Sequence, residues 1–425
     1  MTSVKRESLS NPFASIVTVV LVLSPIIQTY GWGKYDFSFI LTSLLSLVAL
    51  AMGKIDFKKL PKYLLLYLVY WLIIHEISAT NISEAIPLGV VKTILVFGMF
   101  FSIVKLPLLI KYYRFVVRIS ILFLFIQLLI KFLTGENFLG VFTFLPLAIA
   151  PDASSFFLDR LELSRLSSFF SEPAHFAQYI VPYLGILLFD NQLPKNKRII
   201  EIIIVIAALL LLQSGNAVFC TAICLSVYLF YRMKGGMGNK IKATILVLIL
   251  LAGAYAFSQT SIGESLMSRK EQVSINSVDE LGYSTSGFER IFRGYYIYDE
   301  YSSFCKIIGN DNPEYKKTAA NKSIYSYTFI GTDYLYCNTM QAYLMNTGVI
   351  GLIIMLLVYK NILEITNRCG KCILISFIAM NFLASSYFTE IMCLYLLLPT
   401  LMRQSQKGGK IAKLKENEKK SLYLY

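Results

Sequence analysis

The sequence is poor in charged and reactive side chains. Only 16% of its 425 residues are charged, and it contains two histidines and two tryptophans. It lacks an HExxH zinc motif, a phosphate-binding P-loop and a GxGxxG turn placed after a strand. These absences give no support to a metal centre or a nucleotide cofactor. We therefore expect a protein without cofactors, in which the free energy for any reaction enters with the substrate.

Apolar residues dominate instead. They make up 56% of the chain, and the mean hydropathy of +0.60 is too high for a water-soluble globule. A helix needs about 20 apolar residues to cross a bilayer, where it must satisfy its own backbone hydrogen bonds. About twelve runs approach this length: 12–32, 36–53, 63–78, 86–104, 112–132, 174–189, 199–213, 217–231, 243–258, 338–359, 372–386 and 389–402. The sequence predicts an all-α polytopic integral membrane protein, with residues 1–425 as a single membrane domain.

Lysine and arginine are concentrated in every second connection between these runs. Basic connections lie at 54–62, 105–114, 195–198, 232–242 and 360–371, and a basic tail covers 403–425. Because the positive-inside rule places such connections in the cytoplasm, both termini are expected there. Two long loops, 134–171 and 259–337, then face the periplasm.

The net charge of +14 follows from this topology. Nucleic-acid binding needs a basic patch on a soluble face, whereas these charges are dispersed among short membrane loops. We therefore expect no nucleic-acid partner. The basic tail at 403–425 either contacts anionic membrane lipids or serves only as an orientation signal.

Three other residues leave alternatives open. Lys92 lies inside the fourth apolar run, where an unpaired charge is costly, so it is either a functional residue or half of a structural pair. Cys305 and Cys337 lie in or at the edge of the second long loop. They can form a disulfide if that compartment is oxidising, and otherwise remain thiols.

Ionisable residues gather around the end of the first long loop. Arg160, Arg165, Glu172 and His175 all lie there, close to the membrane surface in the predicted topology. A helix is expected to begin near Glu172 and Pro173, because proline suits the first turn and an acidic group suits the positive end of the helix dipole. The cluster is therefore either a well-formed helix start or a binding site.

The second long loop contributes arginines and tyrosines. Arg290 and Arg293 lie in SGFERIFRGYYIYDEY, together with Tyr295, Tyr296 and Tyr298. Arginine binds phosphate well because its planar fork donates two parallel hydrogen bonds and keeps its charge. Tyrosine has a flat apolar face and a hydroxyl, which suit a sugar ring or a lid packed at the bilayer interface. Arginines from the two long loops could thus hold a diphosphate between them.

These stretches resemble a family of membrane enzymes. RLSSFFSEPAHFAQYIVPYLG is similar to the arginine-then-FxEP segment that opens a membrane helix in Wzy-type O-antigen and capsular polysaccharide polymerases. LLLLQSGNAVFCTAI, the arginine stretch of the second long loop and CNTMQAYLMNTGVIGLIIML resemble three further elements of that family, in the same order. The resemblance covers most of the chain. It implies a GT-C-like fold of membrane helices with two long extracytoplasmic loops.

The activity that this resemblance implies is a metal-independent, inverting glycosyl transfer at the periplasmic face of the bacterial inner membrane. The donor is a growing glycan on undecaprenyl diphosphate, and the acceptor is a hydroxyl of one lipid-linked repeat unit. The product is O-antigen or another polysaccharide, as in lipopolysaccharide biosynthesis. A chain-length-regulating co-polymerase is a potential partner.

We expect the site residues to divide by role. Arg165 and Arg290 hold the diphosphate, with Arg160 and Arg293 as alternates. Glu172 or His175, three residues apart on one helix face, takes the acceptor proton or orients the acceptor hydroxyl. The residues expected to contact sugars are Tyr295, Tyr296, Tyr298 and Asn338.

Two other functions, a ligase and a flippase, are alternatives to the polymerase. The related O-antigen ligases have a histidine where this chain has Cys337 and Asn338, which argues against a ligase and leaves the base unassigned. A flippase for the lipid-linked unit would show paired repeats and broken helices around polar sites at the midplane. No convincing internal repeat is visible, and the polar residues gather in the outer loops.

Overall fold

The computed structural model describes residues 12–32, 35–79, 88–136, 138, 140–142, 144–148, 166–189, 193–234, 238, 241, 244, 289–324 and 337–402. Over these residues the chain is mainly helical. Its helices are α1 (Pro12–Ile27), α2 (Phe37–Ala51), α3 (Leu64–Ser78), α4 (Leu88–Ile103), α5 (Leu106–Thr134), α6 (Pro173–Phe189), α7 (Lys195–Leu211), α8 (Gly215–Met233), α9 (Gly294–Asp299), α10 (Ser303–Ile308), α11 (Pro313–Lys322), α12 (Thr339–Ile365), α13 (Arg368–Met380) and α14 (Glu390–Met402). A 3-10 turn covers Phe57–Lys59, a π-helical turn covers Glu289–Arg293, and β1 (Gly31–Trp32) pairs with β2 (Tyr35–Asp36) in a short hairpin.

Most of the predicted apolar runs coincide with these helices. The exception is 243–258, which lies outside the described residues apart from Thr244. Helices α5, α8 and α12 are long and apolar enough to cross a membrane, while α1 to α4, α6 and α14 are shorter apolar helices. The prediction of an all-α membrane protein is supported in this coarse form. The number of twelve spans stays a prediction.

The outer surface of the helices supports the same conclusion. On α5, Phe115, Leu122 and Leu129 are 61%, 61% and 56% exposed and recur every seven residues. Residues at this spacing form one stripe along a helix. Water-soluble proteins rarely expose large contiguous apolar surfaces, so lipid is the solvent that fits this stripe.

Two helices form the centre of the described structure. Every residue of α6 from Phe176 to Leu188 is buried, and so is every residue of α14 from Ile391 to Met402. The hydroxyl of Tyr395 donates to the carbonyl of Gln178 at 2.8 Å, which joins α14 to α6. Helices α5, α7, α8 and α13 pack around α6, and α3 packs against α12. The beginning of α6, where the predicted cluster lies, is thus fixed by the core.

The described part of the second long loop is a small folded unit, residues 289–324. Ile297, Tyr301 and Ala320 form its own apolar core. It docks on α12 through a close approach at Gly348, whose φ of 62° favours glycine. A Cβ on Gly348 would lie 2.3 Å from the carbonyl oxygen of Ile307. The 289–324 unit therefore rests directly on α12.

Candidate active site

The chain that leads into α6 is fixed to α5 by buried hydrogen bonds. The backbone N–H of Ser168 donates to Gln127 Oε1 at 2.9 Å, and the Ser168 hydroxyl donates to the carbonyl of Ser120 at 2.7 Å. Gly140 passes so close that a Cβ there would lie 1.4 Å from the Ser168 carbonyl oxygen. These contacts fix the position from which Glu172 and His175 extend.

Helix α6 begins at Pro173, as predicted. The carbonyl of Glu172 accepts hydrogen bonds from the backbone N–H groups of His175 and Phe176, at 3.1 and 3.3 Å. The His175 Nδ1 atom lies 3.1 Å from the hydroxyl oxygen of Ser171. One turn of chain thus carries both the Glu172 carboxylate and the His175 imidazole.

The second long loop meets this turn through an ion pair. Arg290 Nη2 lies 3.6 Å from Glu172 Oε2, and the two side chains are 27% and 34% exposed. The distance exceeds that of a good hydrogen bond, so charge attraction is the main interaction. The second long loop therefore meets the start of α6, directly after the first long loop, in a partly exposed position.

Polar side chains at the beginning of α12 hold the π-helical turn that contains Arg290. Asn338 Nδ2 donates to the carbonyl of Arg290 at 2.7 Å and to that of Phe382 at 3.0 Å. Gln341 Nε2 donates to the carbonyl of Ile291 at 3.0 Å. Asn338 and Gln341 also cap α12 reciprocally, each side chain accepting from the other residue's backbone N–H. Two polar residues thus position the arginine while they begin a helix.

The other predicted phosphate and sugar residues are placed less directly. Arg160 and Arg165 lie outside the described residues. Arg293 is only 2% exposed, and its charge acts on the buried thiol of Cys337. Asn338 is fully buried and occupied by the backbone contacts described above, so its side chain holds Arg290 in place and presents no exposed group to a sugar. The roles proposed for all four in substrate binding stay predictions.

The three tyrosines differ in their surroundings. Tyr295 is 37% exposed, and Tyr296 is partly buried. Tyr298 is also partly buried, and its hydroxyl donates to the carbonyl of Lys306 at 2.7 Å. Burial raises the pKa of Tyr295 and of Tyr298, so both hydroxyls are neutral at physiological pH. Tyr295 is the most exposed of the three, and sugar contact by any of them stays a prediction.

Cys305 and Cys337 are free thiols in the structure. Both pack against the small apolar core of the 289–324 unit. Burial raises the pKa of the Cys337 thiol to about 11, so it is protonated and unreactive at neutral pH.

A second polar cluster joins the 289–324 unit to α3. Asp311 Oδ2 accepts a hydrogen bond from Trp71 Nε1 at 3.0 Å and lies 3.0 Å from His75 Nδ1, and Asp311 Oδ1 accepts from Lys316 Nζ at 2.9 Å. Burial alone would raise the pKa of Asp311, but Lys316 and the hydrogen bonds from His75 and Trp71 outweigh it and hold that pKa below its ordinary value. No local motif in the sequence connects these residues. The only indication of this cluster in the sequence is that His75 is one of two histidines.

Lys92 has partners, in line with the structural alternative. Its ammonium lies 3.6 Å from Glu390 Oε1, at the start of α14, and 4.3 Å from the centre of the Phe39 ring. A paired charge of this kind is tolerated beside lipid. The pair joins α4 to α14.

One further motif is the CxxC pair of Cys369 and Cys372, in the first two turns of α13. Cys372 is buried, with its sulfur 3.7 Å from that of Cys224, while Cys369 Sγ donates to the carbonyl of Gly185 at 3.5 Å. Among the described residues, no three metal-ligating side chains come together.

No model of a known protein family matches this sequence, and no curated protein matches it either.

Proposed function

We propose that this protein is a membrane glycosyltransferase that joins oligosaccharide repeat units, carried on undecaprenyl diphosphate, into a polysaccharide of the O-antigen or capsular type. The reaction would occur at the periplasmic face of the bacterial inner membrane, with both termini in the cytoplasm. The observation that carries the proposal is the Glu172–Arg290 pair, because it joins the residue that directly follows the first long loop to the second long loop, in a partly exposed position.

The proposed chemistry is a single displacement. The acceptor hydroxyl attacks the anomeric carbon from the face opposite the diphosphate, and a new carbon–oxygen bond forms. The bond to the diphosphate oxygen breaks, and its electron pair leaves with undecaprenyl diphosphate. The hydroxyl proton passes to Glu172 or His175, both of which lie at the start of α6. The configuration at the anomeric carbon is inverted.

Arg290 would stabilise the leaving group. Negative charge builds up on the diphosphate as the bond breaks, and one well-placed donor to such a charge is worth about 2.7 to 4 kcal/mol. The guanidinium rests 3.6 Å from Glu172. An arriving diphosphate would compete for it and release the carboxylate to act as a base. The positive end of the α6 dipole would add to the attraction for the anion.

The test uses the full chain in liposomes with purified lipid-linked repeat units. The wild-type protein should form polymer and release undecaprenyl diphosphate. Arg290→Ala should lower the rate about 100-fold to 1,000-fold, because one donor to the leaving group is lost. Arg232→Ala is the matched control, since Arg232 is an exposed arginine on α8 that donates a hydrogen bond to the Tyr228 hydroxyl, and it should leave the rate unchanged.

The same assay separates the rival functions. If the Arg290→Ala variant lengthened glycan chains at the wild-type rate, Arg290 would not be part of the active site. Movement of repeat units across the bilayer without lengthening would mean a flippase. With lipid A core added as a second acceptor, transfer only onto that core would mean a ligase. Glu172→Gln and His175→Ala, compared at equal protein levels, would identify the base, and full activity in both would exclude both residues.

A further inference from the structure

A groove opens on the surface between α5, α6 and α7, and none of its lining residues belongs to the proposed active site. It has a volume of about 440 Å³. Two residues of its walls, Leu122 on α5 and Ile200 on α7, are 61% and 58% exposed. The groove therefore opens sideways, towards the space that lipid chains occupy around a membrane protein.

One end of this α5–α7 groove is charged. Arg118 donates from Nε and Nη2 to the two carboxylate oxygens of Glu201, at 2.6 and 2.9 Å, and the Tyr183 hydroxyl also donates to Glu201. The carboxylate is thus neutralised by its own partners. Lys197 lines the same end and is exposed, and the charge of Arg114 also acts on Glu201. Three cations against one carboxylate leave this end positive.

The other end is apolar, and the order of residues along both helices gives the groove a direction. On α5 the lining passes from Arg118 to Phe125, and on α7 it passes from Lys197 to Ile204. Both helices begin at basic connections, which the positive-inside rule places in the cytoplasm. The charged end then lies at the level of the cytoplasmic headgroups, and the apolar end extends towards the middle of the bilayer.

We propose that the α5–α7 groove binds one anionic phospholipid of the cytoplasmic leaflet. The phosphate lies against Lys197 and Arg118, and one acyl chain runs along Leu122, Phe125 and Ile204. Arg118 has five N–H donors and uses two of them for Glu201, so others are available to a phosphate oxygen. Basic pockets between membrane helices on the cytoplasmic side recognise anionic headgroups in this way. The inference does not depend on the proposed reaction.

The test is native mass spectrometry of the delipidated full chain, titrated with dioleoylphosphatidylglycerol or dioleoylphosphatidylcholine. These lipids have the same chains and differ in headgroup charge. The wild-type protein should bind the anionic lipid about five-fold more tightly or better, and Lys197→Ala should weaken that binding about five-fold, since one basic residue near the headgroups contributes about that factor. Lys360→Ala, an exposed lysine at the cytoplasmic end of α12, is the matched control and should have no effect.

A second variant tests the apolar end. Leu122→Trp places a bulky side chain in the groove mouth and should weaken the binding of both lipids, while soluble glycerol phosphate should not compete. Equal binding of the two lipids by the wild-type protein, or equal weakening in Lys197→Ala and Lys360→Ala, would overturn the proposal. Full competition by glycerol phosphate would also overturn it, because the acyl chain would then contribute nothing.

Discussion

At the scale of single residues, the candidate site depends on Asn338 as much as on the charged groups. Its side chain does two things at once: the amide oxygen caps α12 by accepting from Gln341, and the amide nitrogen holds the Arg290 carbonyl. Aspartate would preserve the first interaction and lose the second. The two roles can therefore be separated by one substitution.

Asn338→Asp should destabilise the protein by about 1 to 3 kcal/mol, because the carbonyls of Arg290 and Phe382 lose their donor in a buried place and face an oxygen instead. Asn367→Asp is the control. Asn367 caps α13 by accepting a hydrogen bond from the backbone N–H of Gly370, which aspartate does equally well. The change in the free energy of unfolding should therefore be near zero. Thermal unfolding in detergent measures both. Equal midpoints for the two variants would show that Asn338 is only a helix cap.

At the scale of elements, the contact to explain is the polar one by which the 289–324 unit, docked on α12, also binds α3. Asp311 is central to it, because it contacts Trp71, His75 and Lys316 together. Its pKa is lower in the folded protein than in the unfolded chain. A carboxyl of this kind stabilises the fold above its unfolded pKa, and that stabilisation is lost as the pH falls through the folded value.

We expect the docked state to be retained at neutral pH and to weaken only below about pH 4, the ordinary pKa of aspartate. Asp311→Asn should destabilise docking already at pH 7, by about 3 kcal/mol, because Lys316 loses a mostly buried partner. Asp299→Asn is the control, since its pair with Lys306 is largely exposed and worth little. Hydrogen exchange of residues 303–324 at pH 7 and pH 3 measures the effect. Exchange is expressed as a protection factor, which removes the intrinsic pH dependence of amide exchange, and lower protection at pH 7 than at pH 3 in the wild-type protein would contradict it.

At the scale of the whole molecule, the helices were predictable because each apolar run carries its own signal. The start of α6 at Pro173 was also predictable, since proline and an acidic neighbour mark a first turn. The contacts between segments that are distant in sequence were not predictable. Nothing local couples Asp311 to α3 or assigns Asn338 to the Arg290 backbone, because such pairs depend on how the chain packs. The α5–α7 groove was not predictable, because the composition of its lining residues is that of an ordinary lipid-facing helix surface.

The central claim is that Arg290 binds the diphosphate of a lipid-linked glycan. It is tested most directly by the affinity of the full chain in nanodiscs for undecaprenyl diphosphate and for undecaprenol, which has the same tail without phosphate. The account predicts that the wild-type protein prefers the diphosphate and that Arg290→Ala loses about 10-fold to 100-fold of this preference, the value of a charge-assisted hydrogen bond. An unchanged preference in Arg290→Ala would contradict it.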